Sequence, residues 1–498
     1  MLVASFVRKI RQVSCYSLVA NLRLVVFMCV ASLTPVLISC VSGPKSESGF
    51  FGGNSREASS GYRLAPFTEK LLPNGLRVLF VPDDKLPYIS YSLLIRSGSA
   101  QDPSGQAGLS SFVAEVLDKG TVKRGAPEVA RDLDRLGAEF DASASYDYSM
   151  VGLSGLSIHG EVLLSNLIEI VTQPAFSDAE IERTRKQTLA QIERRVDNPD
   201  AYTDLAFAEY LFGNHPYGRP VGGSLESVRS IKKKNIIQHY LRHYRPGQSI
   251  LAVIGKITPD LQSKIEKEFG AWTNRDVPSD TFPPIPKVQG KKFRLVDKPG
   301  LVQAQIRIGH PGIRRDSDQF LALRVANTIL GGAFASRLND RLRKELGLTY
   351  SVSSFFDARQ DVGPFEISTF TKNESIGQAV AETLKLIGQF RQDGVTSAEV
   401  ERAKGYLKGI FPTAIETPEK LALNLLILRN YGIADSYLTN YLGEIDRLSV
   451  ADVNRAIRAH ISEENVKVVV HASASAALAQ LQPLASHDSP VEVVKAGQ

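Results

Sequence analysis

Beyond residue 40 the chain contains no cysteine: Cys15, Cys29 and Cys40 all fall within the first forty of its 498 residues. Neither a disulfide framework nor a Cys-ligated metal can form in the remainder. Residues 1–39 in turn hold no acid, while Arg8, Lys9, Arg11 and Arg23 supply four of the formal net charges of +6. The +2 that remains is too small for the basic surface that nucleic acid requires. Histidine is scarce as well, and of the eight only His239 and His243, in HYLRH, lie close together. Their spacing on an expected helix suits zinc, but no base stands between them, so the sequence reads them as a solvated or capping pair.

What is present suffices for folding. Hydrophobic residues make up 43% and charged residues 22%, a balance that can bury more than one core over two or more domains. After Arg23 comes LVVFMCVASLTPVLISC, an uncharged apolar run closing on a small residue before Cys40. Basic head, apolar body and small closing residue mark residues 1–39 as a signal peptide. The ending Leu37-Ile38-Ser39-Cys40 resembles the lipobox of bacterial lipoproteins, which implies acylation of Cys40; a single membrane-spanning helix is the other reading. Residues 40–62, rich in Gly and Ser without periodicity, suit a flexible tether. Val41 in place of Asp implies, by analogy with the sorting rule of enteric bacteria, an outer-membrane, periplasm-facing protein.

From residue 63 the pattern becomes globular. KLLPNGLRVLFVPDD reads as strand, Asn74-Gly75 turn and strand, and ISYSLLIRSGS as another strand. Pro278, Pro283, Pro284 and Pro286 make residues 276–291 a semi-rigid linker. On either side the chain repeats: DAEIER at 178–183 matches SAEVER at 397–402, 219 residues on. DNPDAYTDLAFAEYLFG and ETPEKLALNLLILRNYG follow in turn, then IKKKNIIQHYLRHY and LSVADVNRAIRAHI. The expected fold is α+β: two homologous domains, 63–275 and 292–475, each an antiparallel-rich sheet packed with helices, clamped about the linker, with a tail over 476–498.

In GLSSFVAEVLDKG the apolar residues Leu109, Phe112, Val113, Val116 and Leu117 follow a helical spacing that Gly120 can end. Ser111 and Glu115 lie four apart on a different face, with Ala114 beside them. That frame, with LPNGLRV, RSGS at 96–99, KGT at 119–121, HPYGRPVGG at 215–223 and YRPGQSILAVIG at 244–255, resembles the pitrilysin and insulinase (M16) metallopeptidases. The likeness is strongest to the bacterial relatives of mitochondrial processing peptidase. The family carries an inverted zinc motif, His-x-x-Glu-His, on this helix, in which the glutamate takes a proton from the attacking water.

Here the motif positions are Ser111, Ala114 and Glu115, and the family's third ligand falls on Gln191. Serine is a poor zinc ligand and alanine cannot act as a base, so this chain is expected to bind no metal of its own. In the second half Leu338, Leu342 and Leu346 recur every four residues along an expected helix, with Arg343 and Tyr350 seven residues apart. In the family an arginine and a tyrosine at this spacing face the zinc, where a guanidinium and a phenol can bind the substrate carbonyl and the developing oxyanion. The resemblance therefore implies a membrane-tethered subunit that supplies Arg343 and Tyr350 to a zinc-bearing partner, with peptides as substrates. A non-catalytic peptide-binding or structural clamp of the outer membrane is the alternative.

Overall fold

Asn74-Gly75 makes the first turn of the computed structural model, which describes residues 64–273 and 281–497; Gly75 takes φ 90° there, a conformation that side chains resist. The signal peptide, Cys40, the tether and linker residues 276–280 lie outside the described residues. In the first half the order is β1 (Thr68–Leu71), β2 (Arg77–Pro82), β3 (Tyr88–Ile95), α1 (Leu109–Val116), α2 (Ala126–Arg135), β4 (Glu139–Ala144), β5 (Ser149–Leu156), α3 (Gly160–Thr172), α4 (Asp178–Arg195), α5 (Pro199–Phe212), α6 (Leu225–Ser230), α7 (Lys233–His243), β6 (Ser249–Gly255) and α8 (Pro259–Gly270). The second half runs β7 (Lys292–Asp297), β8 (Gln303–Pro311), α9 (Phe320–Asn327), β9 (Val352–Phe356), β10 (Pro364–Lys372), α10 (Ile376–Asp393), α11 (Ser397–Ile415), α12 (Pro418–Asn430), α13 (Ser436–Arg447), α14 (Val450–His460), β11 (Lys467–Ala472), α15 (Ala474–Leu481) and β12 (Glu492–Lys495). None of the described helices is long and apolar enough to cross a membrane.

The strands form two sheets, ordered β1-β2-β6-β3-β5-β4 and β12-β7-β11-β8-β10-β9. Only β2–β6 is parallel in the first, and only β7–β11 and β7–β12 in the second. Helices pack on both sheets, giving the α+β architecture of two related domains. Both α4 and α5 have counterparts 219 residues on, α11 and α12, so the sequence repeat is a repeat of structure.

Two details differ from the sequence reading. The residues expected as a tail continue the second domain: α15 begins at Ala474, and β12 pairs with β7 from Glu492 opposite Arg294 to Lys495 opposite Asp297. Four residues are too short a run to show strand alternation, so pairing alone decides them. Leu338, Leu342 and Leu346 fall not on a regular α-helix but on and beside a π-helical turn, Asn339–Glu345, preceded by another at Thr328–Gly332. Leu338 and Leu342 are buried there, while Leu346, at the end of the turn, is half-buried.

Strand alternation divides the first sheet between two cores. Val78, Phe80, Leu251 and Val253 face the helices of their own half. Leu79, Val81, Ile250, Ala252 and Ile254 belong instead to the core of the second half, with Leu421, Leu425 and Leu428 of α12. The reverse exchange places α5 on the second sheet, where Phe207 and Leu211 pack with Val296 and Val469. Each such side chain contributes about 1.5–3 kcal/mol by burial, so separating the halves exposes a large apolar area.

Polar ties cross the same boundary. Arg307 of β8 is 1% exposed; its Nη2 donates to Asp200 Oδ1 at 2.5 Å, its Nε donates to Asp204 Oδ1 at 2.6 Å and lies 3.2 Å from Glu366. Burial pushes Glu366 up to about 8 although Arg307 pulls it down. In the β4–β5 turn, Asp147 accepts from Tyr217 Oη at 2.6 Å, Tyr431 Oη at 3.0 Å and Gln360 N at 2.9 Å, joining the edge hairpins of both sheets. Arg307→Met should destabilise the fold by about 1–3 kcal/mol, because it leaves the buried Glu366 carboxyl without its donor and breaks the bonds to the exposed Asp200 and Asp204. Urea unfolding measures it, and a loss below about 1 kcal/mol would show that the cluster does not hold the halves together.

Candidate functional site

The helix α1 is set in place by close backbone approaches that only glycine permits. Gly108, at φ 90°, precedes it, and a Cβ there would stand 2.7 Å from Gly223 N and 2.8 Å from Gly222 C. A Cβ on Gly98 would stand 2.4 Å from Ser145 O. The RSGS, GL and HPYGRPVGG segments are thus one packing arrangement. Asp102 completes it: Oδ2 accepts from Gly108 N and Oδ1 from Ser110 N, both at 2.8 Å, satisfying orphan amides at the helix start. The apolar face of α1 is buried as its spacing requires.

The other face points toward α4 and the Val221 segment. Ser111 Oγ donates to Val221 O at 2.8 Å. Ala114 is 1% exposed and offers no polar atom. Glu115 Oε2 accepts from Thr188 Oγ1 at 2.8 Å; burial raises its pKa, against Thr188, Arg195 and Lys119. Gln191, one turn after Thr188 on α4, is exposed. These residues do not fit zinc: the serine is spent on a carbonyl, the alanine has no donor atom, and a single carboxylate is already bonded. Among the described residues no group of three or more His, Cys, Asp or Glu could hold a metal ion.

His239 and His243 are not a solvated pair. They are 5% and 7% exposed, their ring centroids are 4.4 Å apart, and α7 turns them toward the core against α1. The helix repeat was legible, but not which face α7 buries. Ser110 Oγ lies 3.2 Å from His239 Nε2, 2.6 Å from Asp102 Oδ1 and 2.8 Å from Gly98 O. One hydroxyl proton cannot serve all three, so a proton on Asp102 or His239 completes the network. Burial holds His239 well below the ordinary histidine range and pushes Asp102 up to about 7 despite its hydrogen bonds from Ser110 and Gly108. Sequence reasoning missed Asp102 and Ser110, because a carboxylate six residues before a helix cap leaves no local spacing signal.

Arg343 and Tyr350 lie on either side of Gly347. Arg343 is half-buried in the π-helical turn that packs on β9, with its guanidinium carbon 4.9 Å from the ring centroid of Phe334. Phe334 is 64% and Tyr350 75% exposed. Phe334, beside Arg343, was not singled out in the sequence; its place two residues after Gly331-Gly332 was the available signal. Near the altered helix, α1 packs on β4, the outermost strand of the first sheet. A peptide can pair along that edge.

The Asp102 carboxyl makes stability depend on pH with a definite sign. Its folded pKa, about 7, exceeds the ordinary value of 3.8. The stability it contributes is present below the ordinary value and lost as pH rises through about 7, with a slope of up to about 1.4 kcal/mol per pH unit. His239, with its lowered pKa, acts in the opposite sense, so the difference between proteins is informative. Asp102→Asn should flatten the decline in unfolding free energy between pH 5 and 8 relative to wild type; parallel curves would show that Asp102 stays ionised.

Comparison with known proteins bears on the family and the fold. Residues 77–224 match the model described as Insulinase (Peptidase family M16), and residues 230–407 the Peptidase M16 inactive domain. A protein described as an uncharacterized zinc protease of Bacillus subtilis is 24% identical over 80% of this chain and 97% of its own length. One so described from Mycobacterium leprae is 28% identical over 81% and 91%. A crystal structure of a peptidase M16 inactive domain from Pseudomonas fluorescens superposes with TM-score 0.75 at 25% identity, covering 82% of this chain and 98% of that one. A protease from Helicobacter pylori shares the fold, with TM-score 0.74 at 21% identity over 82% and 100%. With both halves matched in order, the chain belongs to peptidase family M16.

Proposed function

We propose that this chain is the metal-free subunit of a two-subunit M16-type peptidase. One contrast carries the reading: the face of α1 that bears the motif positions is closed by internal hydrogen bonds, while Phe334, against Arg343, and Tyr350 stand exposed. In this reading the partner holds the zinc and activates the water. Arg343 and Tyr350 donate hydrogen bonds to the substrate carbonyl and to the oxyanion that forms on it, a placement that acts on the transition state. The peptide lies extended along a sheet edge. Acylation of Cys40 and a tether over residues 40–62 place the pair on the periplasmic side of the outer membrane in the same proposal.

The test is co-purification with an M16 protein bearing an intact His-x-x-Glu-His, followed by peptide cleavage by the mixture. Arg343→Ala or Tyr350→Phe in this chain should lower kcat by about 10² or more, with assembly unchanged. Full cleavage by a complex carrying either variant would exclude the role in trans and favour a structural clamp.

A further inference from the structure

Exposed aliphatic side chains gather at one end of the first sheet. Leu86 stands in the loop between β2 and β3, Leu156 at the end of β5, Ile158 in the 3-10 turn Ser157–His159 and Val162 in the first turn of α3; they are between 49% and 78% exposed. The backbone brings these segments together. Tyr88 stands opposite Leu156, and Ser157 N donates to Pro87 O at 3.0 Å. Exposed aliphatics standing singly are ordinary, but four on adjoining turns make an apolar surface of roughly a few hundred Å2, the kind that marks a protein or membrane contact.

The chain enters the first sheet at this same end. Pro82, Gly255, Ile89 and Gly155 stand in one row across β2, β6, β3 and β5, and β1 runs antiparallel to β2 with Thr68 opposite Phe80. Four strand spacings in the order β1-β2-β6-β3-β5 separate Thr68 from Leu156, about 20 Å. The described residues begin at Leu64, within about 14 Å of Thr68 along the chain. Residues 40–63 join that point to Cys40, and a stretch of this length and Gly/Ser-rich composition has an r.m.s. span of about 25–30 Å. An acyl anchor on Cys40 therefore holds a bilayer within reach of the aliphatic end.

Charges of both signs border it. Asp83, Asp84 and Glu161 stand among Lys85, Lys256 and Lys264, with Lys264 Nζ 3.2 Å from Glu161 Oε2. Such a rim has no attraction to an anionic surface, so buried apolar area carries the contact. We propose that this end of the first domain rests on the lipid bilayer, with Leu86, Leu156, Ile158 and Val162 inserted at the level of zwitterionic headgroups. The inference rests on the acyl-anchor reading of Cys40 and adds to it an orientation, which a tether by itself does not set.

Quenching by nitroxide-labelled lipid tests it on the full chain anchored in phosphatidylcholine vesicles. Beyond residue 40 there is no native cysteine, so Leu86→Cys, Ile158→Cys, Val162→Cys and Val122→Cys each place one fluorophore there; the unsubstituted chain, labelled in parallel, reads any reaction at Cys15, Cys29 or Cys40. Val122 is the distant reference: it is exposed and its N donates to Gln173 O, at the far end of α3, a helix about 20 Å long. Labels at 86, 158 and 162 should lose about half or more of their emission to nitroxides placed just below the headgroups, and the label at 122 little. Leu86→Asp with Ile158→Asp should bring quenching at 162 down to the level at 122, with Tm unchanged. A chain that floats with the vesicles but shows no quenching at 86 and 158 would overturn the docking and leave the anchor standing, whereas a chain that does not float would overturn both. Equal quenching at 122, or label shifts that follow protein concentration instead of nitroxide lipid, would assign the aliphatic end to no bilayer contact and overturn the proposal as well.

Discussion

Neither sheet of this protein is covered on both faces by its own half. Alternation along β2 and β6 sends one set of aliphatic side chains to local helices and the other to α12, while α5 covers the second sheet in exchange. The halves are thus bound by the same hydrophobic force that folds each of them. Arg307 and Asp147 add polar specificity at the boundary, since each is buried with partners from the opposite half. The edge hairpins β4–β5 and β9–β10 are thereby tied together, fixing the orientation of the altered helix region relative to the half bearing Arg343.

Packing likewise governs the surroundings of α1. Three contacts place α1: Gly108 against Gly222 and Gly223, Gly98 against the β4–β5 turn, and Asp102 on the first amides. Packing depends on them whether or not metal is present. The face that would have held metal is under no such constraint, and Ser111 and Glu115 have found local partners in Val221 and Thr188. Loss of the ligands therefore leaves the fold intact.

Much of this was readable in the amino-acid order. The 219-residue repeat, the buried stripe of α1 and the Asn74-Gly75 turn are patterns of period, spacing and backbone freedom, which a sequence displays directly. Others depend on what packs against what. The inward turn of His239 and His243, the Asp102–Ser110 network and β12 arise from contacts between distant segments, such as Ser110 with His239. Leu338, Leu342 and Leu346 show an intermediate case: their four-residue spacing was visible, and the π-helical winding between them emerged only with the fold.

The central claim is that the zinc-peptidase frame is complete and only its metal-binding atoms are missing. The direct measurement is elemental analysis of the purified full chain beside a variant carrying Ser111→His, Ala114→Glu, Glu115→His and Gln191→Glu, both equilibrated with zinc. Wild type should hold far less than one zinc per chain, and the variant, which gains two histidines and a glutamate able to ligate it, about one. Stoichiometric zinc in wild type, or a folded variant that binds none, would contradict the account.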